Sequence, residues 1–199
     1  DEKMELDGAY FLGAPALYEG KLYIMADLGS EMFLVSIDPS NGKQFARIPL
    51  CVTSGPPNSV FHRTRDACPV TVSGGVFYCP TQFGRFFAVD AVTNRLLSNF
   101  DYPNSVTEKS PRHRYSTINL NEVRPAVSAP LLQGRYLLFL PTDSAKLFCL
   151  NRISGEKIWE APATSRSFLA CKGKGKVLVI GDEAAIYDIA TGKQIVRHT

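Results

Sequence analysis

The 199-residue chain is 45% apolar and 21% charged, the balance of a globular protein with material for a sizeable core, in one large domain or two small ones. Its net charge of +3 and pI near 8.6 leave room for an anionic partner but argue against a dedicated nucleic-acid-binding chain. No apolar run approaches the length that crosses a bilayer, "YLLFL" (136–140) being among the longest.

The chain opens on "DEKMELDG", which is acidic and has no apolar stretch behind it, so it does not read as a signal peptide. Because it starts on Asp1 rather than methionine, it reads as a processed or excised piece. Five cysteines (51, 68, 79, 149 and 171) are scattered, with no Cys-x-x-Cys spacing. That pattern argues against a disulfide framework or a structural zinc site. Cys79, Cys149 and Cys171 sit inside apolar runs and read as small core residues.

In chain order, the first unit holds a candidate strand in "FLGAPALY" (11–18), then a glycine-led strand "GKLYIMAD" (20–27), then "FLVSIDPSNGK" (33–43). Asp38 and Gly42 bracket a turn in that last stretch. After the insertion "CVTSGPPNSVFHRTRD" (51–66) the same order returns: "DACPVTV", "GVFYCP" (75–80), then "AVDAVTNRLL" (88–97) with Asp90 and Asn94. A second insertion, "DYPNSVTEKSPRHRYSTINLNEV" (101–123), leads into "RPAVSAPLL", "GRYLLFLP" (134–141) and "CLNRISGEKI" (149–158) with Asn151 and Gly155. The last unit runs through "SFLACKG", "GKVLVIGD" (175–182) and "IYDIATGKQI" (186–195) with Asp188 and Gly192. A Ser, Thr or Asn precedes each closing Gly/Asn, and a Lys, Arg or Glu follows it.

The physical reading is a tight turn between antiparallel strands. The Asp or Asn oxygen accepts backbone N–H bonds two residues on, while Gly or Asn supplies the left-handed conformation. Each unit is then four short strands in about 40 residues, with no capped or periodic helix. Such units in tandem predict an all-β fold, a β-propeller of four-stranded antiparallel blades. Four blades are expected, at about 10–50, 66–101, 124–162 and 165–199, with insertions at 51–65 and 102–123. They are expected to form one segment, an arc of a larger, about eight-bladed ring, or half of one completed by a second copy as a homodimer. A β-sandwich is the competing architecture, but it does not require one turn signature in every unit.

The phrase Ala-x-Asp-x-x-Thr-Gly-Lys-x-x-Trp, matched across residues 10–199, resembles the blade signature of pyrroloquinoline-quinone-like (PQQ-like) propeller repeats. "GKLYIMAD…FLVSIDPSNGK" and "CPTQFGRFFAVDAVTNRLL" are similar to large bacterial members of that family and to its outer-membrane assembly lipoprotein. In the family a tryptophan stands four residues after the turn glycine and docks on the neighbouring blade. Here those positions are Ala46, Ser98, Trp159 and Val196, so Trp159 alone matches. The resemblance implies a bacterial periplasmic or cell-envelope location.

The signature residues are structural, so the resemblance predicts fold before function. A non-catalytic protein-interaction scaffold is the first reading. Its alternatives are a fragment of a PQQ-dependent quinoprotein dehydrogenase and a ligand-sensing ectodomain. The dehydrogenase would need calcium ligands, a general-base aspartate and, in many members, a vicinal Cys-Cys pair. No Cys-Cys pair occurs and no acidic cluster emerges, so neither catalytic residues nor a PQQ, metal or other cofactor site is assigned. Gly-x-Ser-x-Gly and His-Glu-x-x-His are absent, and "KGKGK" (172–176) reads as a hairpin turn, not a phosphate loop. The candidate partner site is the pair of insertions, which carry Phe61, His62, Arg63, Arg65, Arg112, His113, Arg114 and Tyr115. Guanidinium forks beside aromatics suit an acidic protein surface. In a propeller both insertions leave an outer strand for the next inner one, so they are expected side by side on one rim.

Overall fold

A computed structural model describes residues 6, 8–53, 67–103, 125–164 and 166–198. Every regular element in these residues is a strand, and the strands form separate antiparallel sheets. The first contains β1 (Tyr10–Phe11), β2 (Ala16–Tyr18), β3 (Lys21–Leu28), β4 (Glu31–Ile37) and β5 (Gln44–Val52). The second is β6 (Thr71–Ser73), β7 (Val76–Pro80), β8 (Arg85–Asp90) and β9 (Leu96–Asp101). The third is β10 (Leu131–Gln133), β11 (Tyr136–Phe139), β12 (Lys146–Asn151) and β13 (Lys157–Pro162). The fourth is β14 (Phe168–Gly173), β15 (Lys176–Ile180), β16 (Ala184–Asp188) and β17 (Gln194–His198). The chain packs as two compact units, residues 1–81 with 86–99, and residues 82–85 with 100–199.

Two-residue hairpins join β2 to β3, β6 to β7 and β14 to β15, with a chemistry the sequence dictates. Glu19–Gly20, Gly74–Gly75 and Lys174–Gly175 all have positive φ at both positions, the twist that lets neighbouring antiparallel strands stay paired. "KGKGK" is therefore a hairpin between β14 and β15. In the first sheet the inner strand is split, β1 and β2 both pairing with β3. The break falls at Gly13, where φ is +104° and an added Cβ would lie 3.2 Å from the Cys68 backbone. Only a residue without a side chain lets those two segments approach so closely; Cys68 N donates to Leu12 O at 2.9 Å there.

The fourfold turn has one geometry throughout. Gly42, Asn94, Gly155 and Gly192 have φ of +72°, +56°, +76° and +70°. Their N–H groups donate to the carbonyls of Asp38, Asp90, Asn151 and Asp188 at 2.8–2.9 Å. The Asp/Asn side chains hold the intervening residues: Ser40 N on Asp38 at 2.8 Å, Thr93 N on Asp90 at 2.6 Å, Ile153 N on Asn151 at 3.0 Å and Thr191 N on Asp188 at 2.9 Å. Just beyond the turn the ladder slips by one residue in the first, third and fourth sheets, so that Phe45, Ile158 and Ile195 are bulged out of register. All three are exposed. The bulge turns the following residue to the opposite face, which is the docking position of the repeat.

In the second unit Trp159 fills that position. Trp159 donates from Nε1 to Ile189 O at 2.8 Å, and its ring lies over Gly192, where an added Cβ would meet Cδ2 at 2.5 Å. Beneath it Leu138, Leu147, Cys149, Ala161, Val177, Val179, Tyr187 and Ile189 form a buried cluster. In the first unit Phe77 packs against Tyr23 and Tyr18 at ring separations of 4.1 and 5.6 Å.

Two consequences are testable. Gly192→Ala places a methyl inside the Trp159 ring and forces a side chain into a left-handed backbone, and should destabilise the second unit by about 2–4 kcal/mol. Trp159 is the sole tryptophan, so urea melts followed by its fluorescence check this directly; an unchanged midpoint would contradict the docking geometry. Separately, hydrogen bonds from Ser40, Thr93 and Thr191 hold the Asp38, Asp90 and Asp188 carboxyls below their usual range. A carboxyl depressed in the fold stabilises it above its unfolded value near 3.8, and that help is lost as pH falls through the lower folded value. Asn already serves at position 151, so replacing all three by Asn should leave a folded chain at neutral pH. Its stability should fall less between pH 4 and 2 than the parent's, as read by circular dichroism melts.

Candidate functional site

The residues assigned from sequence to partner binding (Phe61, His62, Arg63, Arg65, Arg112, His113, Arg114 and Tyr115) lie outside the described residues. What is described is where their insertions are rooted. Thr53 directly follows β5, and Tyr102 directly follows β9. Each donates its backbone N–H to the turn between the two middle strands of its own sheet: Thr53 to Ser30 O at 2.7 Å, Tyr102 to Gly84 O at 2.8 Å. Ala163 makes the matching bond to Ala145 O at 3.0 Å in the third sheet.

The two roots of the long insertions carry something more. Thr53 Oγ1 donates to buried Asp27 at 3.1 Å, and Tyr102 Oη donates to buried Asp143 at 3.0 Å. Asp143 also accepts from Gly84 N at 2.8 Å, and alongside it Gln82 Oε1 accepts from Thr142 N at 2.7 Å and Thr142 Oγ1 at 3.0 Å. Ala163, followed by a short connection to the fourth sheet, has no hydroxyl to donate. So a hydroxyl–carboxylate pin stands where an insertion begins and is missing where none does. Inside the protein such bonds are electrostatically strong and an unmade one is costly, so these pins hold the roots in one place.

Burial pushes the Asp27 carboxyl up, against the lowering effect of its bonds from Thr53 and Ser30, and its Oδ1 has no hydrogen-bond partner among the described residues. Burial likewise pushes the Cys149 thiol up to about 12 and Cys79 higher still, which leaves both as unreactive thiols. No two of the five cysteines are joined in a disulfide. Among the described residues no group of three or more His, Cys, Asp or Glu side chains is placed to hold a metal ion, and no helix is long and apolar enough to cross a membrane.

The turn residues were legible in the sequence, whereas the pins were not. Asp27 and Thr53 are 26 residues apart, Tyr102 and Asp143 41 apart, and no local pattern links them. The one available signal was an aspartate ending an apolar strand in "LYIMAD" (22–27), where a charge is expensive to bury.

No family model matches the chain, and no curated protein matches it. Solved structures do. The crystal structure of BamB from Moraxella catarrhalis is similar over 94% of this chain and 50% of that one, with a TM-score of 0.62 at 15% identity. The computationally designed Ika8 protein is similar over 94% of this chain and 61% of its own, with a TM-score of 0.56 at 11% identity. The designed Ika4 protein covers 67% and 73%, with a TM-score of 0.50 at 16% identity. At these identities the likeness shows the fold: the four sheets are blades of a β-propeller. The chain spans about half the length of BamB.

Tyr102→Phe should cost about 1–2 kcal/mol by removing the donor to a buried carboxylate, measurable as a lower denaturation midpoint. Asp27→Asn keeps an acceptor for Thr53 and discards the charge. A carboxyl raised in the fold destabilises it progressively as pH climbs past the unfolded value of 3.8. The variant should therefore be more stable than the parent at pH 7.5 and indistinguishable from it at pH 3, in paired urea melts.

Proposed function

We propose that the chain is a non-catalytic β-propeller segment acting as a protein-interaction scaffold, with its partner engaged by the Arg-bearing insertions 51–66 and 101–123. The observation that carries this reading is the pinning of Thr53 and Tyr102. A rigid sheet holding a long loop by a buried, doubly bonded root is the usual arrangement for recognition loops. The insertions themselves supply Arg63, Arg65, Arg112 and Arg114 with Phe61 and Tyr115, a composition that suits an acidic protein face. The turn phrase and Trp159 support placing the repeats with the PQQ-like group, and the likeness to BamB favours an interaction role and a bacterial cell-envelope setting. A second copy completing the ring is part of the same proposal, since the chain matches half of BamB's length.

Changing Arg63, Arg65, Arg112 and Arg114 together to Ala should shift stability by no more than about 0.5 kcal/mol, as surface substitutions do. It should sharply weaken capture of acidic partners, and the wild-type interaction should fade with added salt. Equal recovery of the same partners by wild type and variant would reject the assignment. Light scattering on the intact chain reads the copy number.

A further inference from the structure

The two blade interfaces inside the second unit are built on the same template but filled differently. In the earlier one, Phe100, Tyr102, Phe139 and Phe148 stack into a single cluster, with Phe139 and Phe148 5.2 Å apart and Tyr102 5.4 Å from Phe148. Counting from the turn residues Asn151 and Asp188, and following the strand registers Phe139↔Phe148 and Val179↔Ala185, the matching positions in the later interface are Ala161, Ala163, Val179 and Ala185. Four aromatic rings have become three alanines and a valine. Where the rings would stand there is a cavity of about 170 Å³, bordered by Leu147, Ala163, Val179 and Ala185, with Tyr187 and the Glu183–Arg197 pair also on its wall.

The earlier interface also shows what polar contact such a ring makes. The Tyr102 phenol donates to Asp143, which lies in the turn between β11 and β12. In the later interface a carboxylate also borders the cavity, that of Glu183, which by the count from Asp188 stands at the position of Lys146 rather than of Asp143. Glu183 is held by a bidentate bond to Arg197, yet a carboxylate has lone pairs for further donors. An apolar chamber of about 150 Å³ is known to take benzene, so this one has room for a single aromatic ring.

We propose that this cavity is a binding site for a small monocyclic phenol, its ring occupying the space that Phe148 and Tyr102 fill one blade earlier and its hydroxyl donating to Glu183. None of the residues lining the cavity belongs to the insertions, so the proposal does not rest on the interaction reading.

Titration of the intact chain with phenol tests it by calorimetry and methyl NMR. One saturable site is expected, with phenol preferred about tenfold over toluene, which lacks the donor. Methyl signals of Ala163, Val179 and Ala185 should shift together. Ala185→Phe, which restores the residue found at position 148, should abolish binding, while the quadruple Arg→Ala variant should bind phenol unchanged. No saturation, equal affinity for toluene and phenol, or binding retained in a folded Ala185→Phe chain would overturn the proposal. If Ala185→Phe does not fold, the wild-type methyl map decides: shifts confined elsewhere refute the site.

Discussion

The left-handed residue that closes each outer turn is the constraint on which this architecture rests. Gly42, Asn94, Gly155 and Gly192 all hold φ between +56° and +76°, a region that ordinary side chains avoid. The preceding Asp or Asn satisfies the amides that the turn leaves exposed, so the local cost is met locally. Everything outward of the turn follows from it. In the first, third and fourth sheets the chain re-enters the sheet one residue out of step and leaves an apolar residue bulged at the surface; in the third, the next residue, Trp159, reaches the neighbouring blade.

That delivery has different energetic content from blade to blade. Trp159 seals its blade against the next through a hydrogen bond to Ile189 O and close contact with Gly192. The glycine thus serves twice, for its backbone angle and for the absence of a Cβ under the indole. Ala46, Ser98 and Val196 stand four residues after the turn elsewhere and carry no ring, while aromatic packing is found at other places, as with Phe77 between Tyr18 and Tyr23. Repeats that share a backbone need not share a core.

Polar burial follows a similar division. The carboxylates exposed in the outer turns are satisfied by neighbours two or three residues away and lie below their usual range. Asp27 and Asp143 are buried and are reached by hydroxyls from distant chain segments. The first kind closes turns; the second fastens the ends of outer strands from which long insertions depart. Desolvation makes the second kind expensive, and among the described residues both of its examples meet the root of a long insertion.

The antiparallel sheets and the turns within them were legible in the sequence because they depend on residues within a few positions of one another: a glycine where φ is positive, an Asp or Asn two residues before the amides it accepts, apolar runs of strand length. Among the described residues the absence of helix was legible for the same reason. The split of the first inner strand at Gly13, the bulge beyond the turns, the Thr53–Asp27 and Tyr102–Asp143 pins and the cavity bordered by Ala163 and Ala185 were decided only in three dimensions. Each depends on what faces a residue from another strand or another blade: a backbone 3.2 Å away at Gly13, a carboxylate 41 residues distant at Tyr102, an alanine where the previous blade has phenylalanine. Local dihedral preference is written in the chain residue by residue, whereas burial and complementarity exist only between surfaces that folding has brought together.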